Sequence, residues 1–299
     1  MTISVCIATY RRAERLAALL GDLTHQQLLP QEVVVVDNDA AGSAWAVVEQ
    51  ARSGAPFPIR YTVQPVKNLS LTRNQTVAWA TCDWLAFVDD DERAPTHWLA
   101  RLAEAAVDVD GVLGPVLPVL PEDAVAWLRH GRFYDWARMK TGSLVPGNRL
   151  RFGNVLLRAS LLRVDNSPFD PAYGCTGGED GDLLNRLVQG GARIIWCDEA
   201  EVFEPVEAKR LKLRWLLLRA LRGGQDYAHH ALAGRYGTLS GAGRALLFAR
   251  ALSQMIVALL LALLCWPLGR HRAVHWLSKA AANLGKLSSF AGFHYREYA

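Results

Sequence analysis

Apolar positions along the chain alternate between two spacings. Ile3, Val5, Cys6, Ile7 and Ala8 form a strand-like run, and residues 12–24 then place Leu16, Leu19, Leu20 and Leu23 at helical intervals. A β-branched run follows at 32–36 and ends on Asp37, Asn38 and Asp39. Strand, helix, strand within about forty residues is a βαβ unit, which predicts a parallel sheet. The pattern continues with a strand at 59–63, a helix over about 71–80, and the wholly apolar strand 84–88, which runs into Asp89, Asp90 and Asp91. A helix over about 97–107 and a short strand at 111–114 come next.

Residues 115–151 are rich in Pro, Arg and aromatics without a clear period, and are expected to form a substrate-facing loop region. A strand at 152–158, a helix over about 181–189 stopped by Gly190 and Gly191, and a strand at 193–196 complete the regular pattern. The apolar strand signals at 32–36 and 84–88 deliver acidic residues at their C-terminal ends. In open α/β sheets that edge is where ligands bind.

Beyond Pro205 the character changes. Residues 210–222 read as a Leu-rich basic helix ended by Gly223 and Gly224, and residues 251–269 carry no charge between Arg250 and Arg270. With 51% hydrophobic and 21% charged residues over 299 positions, disorder is excluded. The five cysteines form no CxxC pair, so neither a disulfide framework nor a zinc site is indicated. The net charge of +4 hides a division, since residues 1–204 hold 19 Lys+Arg against 26 Asp+Glu and residues 205–299 hold 14 against 3. Two domains are therefore expected, a catalytic α/β domain at 1–205 and a basic, hydrophobic helical region at 206–299.

Three acidic clusters stand out: Asp37 and Asp39; Asp89, Asp90 and Asp91; and Glu179, Asp180 and Asp182. Like charges at a strand edge repel unless a cation or donors occupy the site. Mg²⁺ or Mn²⁺ meets that need, because both take oxygen ligands and commonly bridge one or two carboxylates to phosphates. If the strand end stays extended, Asp89 and Asp91 face the ligand and Asp90 points elsewhere.

The ordered segments 5–12 (Val-Cys-Ile-Ala-Thr-Tyr-Arg-Arg), 33–38 (Val-Val-Val-Val-Asp-Asn), 71–74 (Leu-Thr-Arg-Asn), 87–92 (Phe-Val-Asp-Asp-Asp-Glu) and 178–180 (Gly-Glu-Asp) resemble the inverting glycosyltransferases of family 2, which have the GT-A fold. The resemblance covers about residues 1–205, and the basic tail is similar to that of bacterial succinoglycan-type exopolysaccharide transferases. It implies a Rossmann-like, mostly parallel sheet and a nucleoside diphosphate sugar as donor, with a lean to UDP-sugar. Thr9, Tyr10 and Arg11 would close over the nucleotide, Asp37 would receive a uracil-like base, and Arg73 and Asn74 would lie beside the nucleotide. Asp89 would touch ribose or metal and Asp91 would be the principal Mg²⁺ or Mn²⁺ ligand. Asp180 would be the general base, with Glu179 orienting an acceptor that approaches over Gly177 and Gly178. Arg210 would close on the donor phosphates, while Asn154 and Trp136 are candidates for the acceptor side. The Gln-x-x-Arg-Trp signature of processive synthases is missing, its only echo being Lys212, Leu213, Arg214 and Trp215, which favours one sugar per visit.

The implied acceptor is a polyprenyl-linked glycan. For the tail, Leu runs interleaved with Trp215, Trp266 and Trp276 favour anionic membrane lipid over nucleic acid. A 19-residue run is just long enough to span a bilayer, but the later Arg270, Arg272, Lys279, Lys286 and Arg296 would then lie outside the cell. A monotopic arrangement at the cytoplasmic face, as a re-entrant hairpin or in-plane helix, is expected instead, and no signal peptide opens the sequence. Two other readings compete. A sugar-phosphate nucleotidyltransferase would want a Gly-rich N-terminal loop, which Thr9 to Arg12 lacks, and a non-catalytic membrane scaffold would release no nucleotide. His229 and His230 have no third metal ligand at suitable spacing.

Overall fold

The computed structural model describes residues 1–175, 177–234 and 237–293, which leaves Arg296 of the basic tail outside the described residues. The described residues divide into two compact units, one of residues 1–118 and 136–205, the other of residues 119–135 and 206–293.

The first unit is a three-layer α/β structure. Its strands are β1 (Ile3–Thr9), β2 (Glu32–Asp37), β3 (Ile59–Val63), β4 (Trp84–Val88), β5 (Gly111–Leu113), β6 (Val116–Val119), β7 (Asn154–Arg158), β8 (Ile194–Trp196) and β9 (Val202–Pro205). Its helices are α1 (Ala13–Thr24), α2 (Trp45–Arg52), α3 (Leu69–Trp79), α4 (Trp98–Ala105), α6 (Ala159–Leu162) and α7 (Glu179–Gln189). The main sheet runs β3-β2-β1-β4-β7-β5-β8, and β6 pairs with β9 alone. Strands β1, β2, β3 and β4 are parallel, with Thr9 opposite Asp37 and Cys6 opposite Phe87. The strand order reverses at β1, so the crevice between the C-terminal ends of β1 and β4 is the switch point where such sheets take ligands.

One strand departs from the expected parallel arrangement. β7 runs antiparallel to both β4 and β5, pairing Asn154 with Val88. The N-terminal end of β7 therefore lies beside the C-terminal end of β4, and this brings residues 152 and 153 to the acidic edge. Apolar periodicity reports that a strand is buried but carries no direction.

The core lies on both faces of the sheet. Leu16, Leu19, Leu20 and Leu23 of α1 are fully buried with Trp98, Leu99 and Leu102 of α4 on one face. Phe87, Phe152, Phe169, Leu183 and Leu184 fill the other. Strand β2 is buried throughout, as its unbroken β-branched run requires.

The second unit contains α5 (Ala126–Gly131), α8 (Leu213–Leu232), α9 (Gly241–Cys265) and α10 (Arg270–Phe290). Leu128 and Tyr134 pack with Val206, Leu216 and Val274 in its small core. Trp127 and Phe133 lie 5.7 Å apart and Tyr134 stacks on Trp215 at 6.0 Å, so these three aromatics are packing residues of the helical unit and not part of a loop that faces sugar. The expected helix stop at Gly223 and Gly224 is also absent, because α8 runs through both. A Cβ on Gly224 would overlap the backbone of Ala282, and one on Gly285 would overlap the Leu221 carbonyl. These glycines let α8 and α10 approach closely, which outweighs their poor helix propensity of about 1 kcal/mol each.

Candidate active site

The β4 strand ends at Val88, and the Glu92 N–H donates to the Asp89 carbonyl at 3.1 Å, so residues 89–92 form a turn. The alternation expected for an extended strand end stops there. Asp90 and Asp91 both face the start of α1: Arg12 Nη1 lies 2.9 Å from an oxygen of each, and Arg15 Nη1 lies 3.4 Å from Asp91 Oδ2. Thr9 Oγ1 donates to Asp90 Oδ2 at 2.7 Å, which ties the end of β1 to this turn. Burial, partly offset by Arg12 and increased again by Asp91, pushes Asp90 up to about 6. Asp89 points the other way, with its side chain 47% exposed and Oδ1 3.3 Å from Arg73 Nη2.

Arg73 is the centre of the cluster. It is buried in α3, its Nη1 meets Glu179 Oε1 at 2.5 Å and its guanidinium lies over the rings of Phe152 at 4.9 Å and Phe169 at 5.9 Å. Its donor fork thus joins two carboxylates 90 positions apart in sequence; it does not stand free beside a nucleotide. Burial pushes Glu179 up to about 7, with Arg73 opposing and Asp180 and Asp89 reinforcing. Glu179 Oε2 is buried and has no hydrogen-bond partner among the described residues. Burial and the Asp91 and Asp180 charges likewise raise Asp89 against the pull of Arg73.

Asp180 stands in the first turn of α7, preceded by Gly177 and Gly178 with φ of +83° and +97°. A residue with Cβ is strained in that conformation, which accounts for the glycine pair. Asp180 Oδ1 accepts from the Gly181 N–H at 2.8 Å and Oδ2 from the Phe152 N–H at 3.2 Å, and the residue is only half-buried. Asp182 is spoken for elsewhere, since its Oδ2 accepts from Arg186 Nε at 2.8 Å.

Three expected contacts have other work. Asp37 is fully buried: Oδ1 accepts from the Asp39 N–H at 2.9 Å, and Oδ2 accepts from the Ala44 N–H at 2.8 Å and the Tyr61 hydroxyl at 3.0 Å. It shapes the turn after β2, and both of its oxygens are already held by donors of the protein. Asn74 donates to Ser167 Oγ and the Phe169 carbonyl and accepts from the Phe169 N–H, each at 2.8 Å, so it pins the 167–169 loop. Successive residues on a helix do not share a face, so Asn74 turns away where Arg73 turns in. Asn154 is buried too; it accepts from Trp98 Nε1 and donates to the Pro115 and Ala200 carbonyls, which makes it a sheet-end bridge and not an acceptor contact.

The remaining residues are exposed or separate. The Tyr10 ring lies between Arg11 at 5.1 Å and Lys67 at 5.6 Å, and Arg11, at φ +53°, pairs with Asp39 at 3.0 Å. Trp136 is 52% exposed and carries the Arg151 guanidinium 4.4 Å above its ring. Arg210 belongs to the helical unit, where its carbonyl accepts from the Tyr134 hydroxyl at 2.7 Å and its guanidinium lies 5.7 Å from the Trp215 ring.

Sequence reasoning missed Glu92, whose Oε2 accepts from the Asp89 N–H at 3.1 Å and whose carboxyl is pushed well up by burial and by Asp89 and Asp91. Gly153, which reads in the sequence as a turn or a contact at the start of a strand, has φ +104°, and a Cβ there would lie 2.8 Å from Glu92 Oε1 and 3.5 Å from Asp89 Oδ2. The acid after the triplet was the available signal for Glu92; nothing short of the β7 direction reveals the place of Gly153. Among the described residues no group of three or more His, Cys, Asp or Glu is arranged to hold a metal ion by itself.

Comparison with known proteins fits this geometry. The family model for glycosyl transferase family 2 matches residues 4–160. The succinoglycan biosynthesis protein ExoM of Rhizobium meliloti is 37% identical over 234 residues, covering 75% of this chain and 74% of that protein. The galactofuranosyltransferase GlfT1 of Mycobacterium tuberculosis is 25% identical over 71% of this chain and 73% of its own length. Among solved structures, a Pyrobaculum calidifontis mannosyltransferase, PcManGT, in complex with GDP-Man and Mn²⁺ superposes with a TM-score of 0.61 at 18% identity, covering 96% of this chain and 86% of that one, which shows a shared fold. The chain belongs to glycosyl transferase family 2 and is an inverting glycosyltransferase of GT-A fold that uses a nucleotide-sugar donor and a glycan acceptor.

Proposed function

We propose that this transferase moves one sugar per visit from a UDP-sugar to a polyprenyl-linked glycan at the cytoplasmic face of the plasma membrane, during assembly of a surface polysaccharide. The observation that carries this is the Arg73 bridge, which sets the Glu179–Asp180 pair of α7 against the Asp89 end of β4. A donor-side carboxylate and a half-exposed candidate base thereby share one cleft edge. The relationship to a succinoglycan biosynthesis protein supports the choice of pathway class.

In this reading Asp180 takes the proton from the acceptor hydroxyl as that oxygen attacks the anomeric carbon, and the diphosphate leaves from the opposite face. The Phe152 and Gly181 N–H groups fix its carboxylate. Glu179, locked by Arg73, sets the entry to α7, and Gly178 allows close approach of the acceptor. Thr9, Tyr10 and Arg11 border the donor, with Trp136 offering a face to an acceptor sugar.

The residues fit a divalent cation completed by the donor. Two carboxylates, Asp89 and Asp91, are too few for an all-protein cage, which suits Mg²⁺ or Mn²⁺ carried with diphosphate oxygens; Asp89 is open to such a cation, whereas Asp91, held by Arg12 and Arg15 on the α1 side, would have to turn from them to join it. Asp89 is half-exposed in a cluster where carboxylates outnumber cations, so positive charge is favoured there. The metal would supply neutralisation of the leaving diphosphate.

Residues 206–299 dock the enzyme on the membrane in this proposal. Helix α9 is 25 residues long with a mean hydropathy of 2.1 over its most apolar window, and only 17% of that window is buried. Arg270 and Arg272 follow the turn after α9, so tip-first insertion would bury charge, and an in-plane helix is preferred. The test is release of UDP by the purified chain with a panel of UDP-sugars and a polyprenyl-linked acceptor, with Mn²⁺ or with chelator. Transfer should require both lipid acceptor and divalent cation; equal turnover in chelator overturns the metal assignment, and turnover with no UDP-sugar overturns the donor.

A further inference from the structure

Within the helical unit, α8, α9 and α10 form an open-mouthed cavity of about 350 Å³ lined by Tyr227, Leu247, Arg250, Ala251, Gln254 and Lys286. That volume is in the range of small-ligand sites. Two cations line it and no carboxylate does. Lys286 Nζ donates to Asn283 Oδ1 at 3.1 Å and lies 5.1 Å from the Tyr227 ring. Neither Lys286 nor Arg250 has an ion-pair partner among the described residues, and the acid on the facing helix, Asp226, lies 4.0 Å from Arg222. Burial and the Arg250 charge also depress Lys286. A bound anion would relieve both effects.

The position of the cavity names the kind of anion. Arg250 is the last charged residue of α9, and residues 251–265 carry none. At about 100° per residue, the exposed Leu246, Val257, Leu260 and Leu264 share one arc of the helix, Arg250 and Gln254 stand at its border, and the buried Ala251 and Ala258 lie beyond them. Phe248 packs on Phe290 at 5.5 Å, so early α9 lies beside late α10, level with Lys286. The cationic cavity therefore opens at the seam between an exposed apolar surface and the packed face. A molecule with a phosphate head and an apolar tail matches both halves at once.

We infer that this cavity binds the phosphate of an anionic membrane lipid, with Arg250 and Lys286 taking phosphate oxygens, Gln254 as a further donor, and the acyl chains lying along the exposed arc of α9. The inference deepens the membrane-docking reading and rests on it for where the lipid is met, but the phosphate site itself is testable without a bilayer.

Two measurements on the full chain separate the ideas. In the first, thermal unfolding is followed with monomeric dihexanoyl phosphatidic acid, with dihexanoyl phosphatidylcholine, or with inorganic phosphate. Stabilisation by the phosphatidic acid alone is expected, lost in the Arg250→Gln/Lys286→Gln double variant and restored in Arg250→Lys/Lys286→Arg. Equal stabilisation by inorganic phosphate overturns the lipid as the source, and equal response of the Gln double variant overturns the site. In the second, flotation with phosphatidylglycerol vesicles compares that variant with Arg214→Gln/Arg244→Gln, which removes equal charge outside the cavity. Affinity should fall about tenfold further in the cavity variant, because charge-assisted hydrogen bonds exceed diffuse attraction. Equal losses overturn a specific site. If no vesicle binding occurs but the first result holds, membrane docking fails and the phosphate site stands.

Discussion

Replacing Asp180 by Asn removes a base while leaving most of its surroundings in place, and the structure sets the size of each effect. Asp180 accepts two N–H bonds, from Gly181 at 2.8 Å and Phe152 at 3.2 Å. An asparagine keeps one acceptor oxygen and turns its amide toward the other donor, so stability should fall by about 1 kcal/mol, a shift of roughly 2–4 °C in a protein of this size. Loss of general-base catalysis should slow transfer by about 10²–10⁴, equivalent to about 3–5 kcal/mol of barrier. Donor affinity should change little, since Arg73, Asp89 and the Thr9 turn keep their bonds to other residues. Glu179→Ala provides the contrast. It leaves buried Arg73 without its 2.5 Å partner, and breaking a buried pair costs about 3–5 kcal/mol, so transfer and stability should fall together. The assay is UDP release with lipid acceptor, alongside calorimetric titration of donor and a thermal melt. Transfer by Asp180→Asn within tenfold of the parent, or a parallel collapse of donor affinity, would refute the assignment of Asp180 as base.

Further predictions concern the cluster and its supports. Asp90 and Glu179 are raised to about 6 and about 7, and Glu92 is raised as well, so the folded state holds more protons than the unfolded chain between about pH 4 and 7. Stability without divalent cation should therefore be greatest at the acidic end of that window and fall as pH rises through it, by about 3 kcal/mol from Glu179 alone; urea midpoints that increase from pH 5 to pH 8 would contradict this. Glu92→Gln should reduce that slope, read from the same midpoints. In α8, Gly223→Ala meets nothing within 4 Å and should stabilise by about 1 kcal/mol, whereas Gly224→Ala overlaps the Ala282 backbone and should destabilise by about 1–3 kcal/mol; chemical denaturation showing the same sign for both would refute the close α8–α10 contact. Asn74→Leu should lose about 2–3 kcal/mol of stability through its three hydrogen bonds, with the donor dissociation constant unchanged when the folded fraction is titrated.

Strands β1 to β4 and helices α1, α3, α4 and α7 were legible within a few residues, because each carries its burial pattern in its own sequence. Helix α2 escaped since Val48 is its one fully buried residue, too few to set a period. Helix α5 and strand β6 lay hidden in the Pro- and Arg-rich stretch, where tertiary packing decides the structure. In the site, the acidic clusters were visible as residue types. Their division of labour was not, because it depends on the Asp89–Glu92 turn and on β7 running antiparallel. Asp37 and Asn74 show the same limit: a polar residue at a strand end or helix start reads alike whether it meets a ligand or three backbone groups.

The Arg73 arrangement explains how so many carboxylates can share one edge. A buried guanidinium between Glu179 and Asp89 compensates two of them, and the Phe152 and Phe169 rings exclude water from its faces, which strengthens both pairs. Phe152 acts twice, since its ring lies under Arg73 while its N–H holds Asp180. A displacement of Arg73 toward a bound diphosphate would thus be felt at Glu179 and, through Phe152, at Asp180. Groups that are separate in sequence are mechanically one unit here, and burial first, then the neighbouring carboxylates, raise both Asp89 and Glu179, effects that positive charge on the open side would oppose. Part of the acidic surplus of residues 1–204 gathers at this one edge, in Asp89, Asp90, Asp91, Glu92, Glu179 and Asp180, where it sets the local potential and not only the net charge.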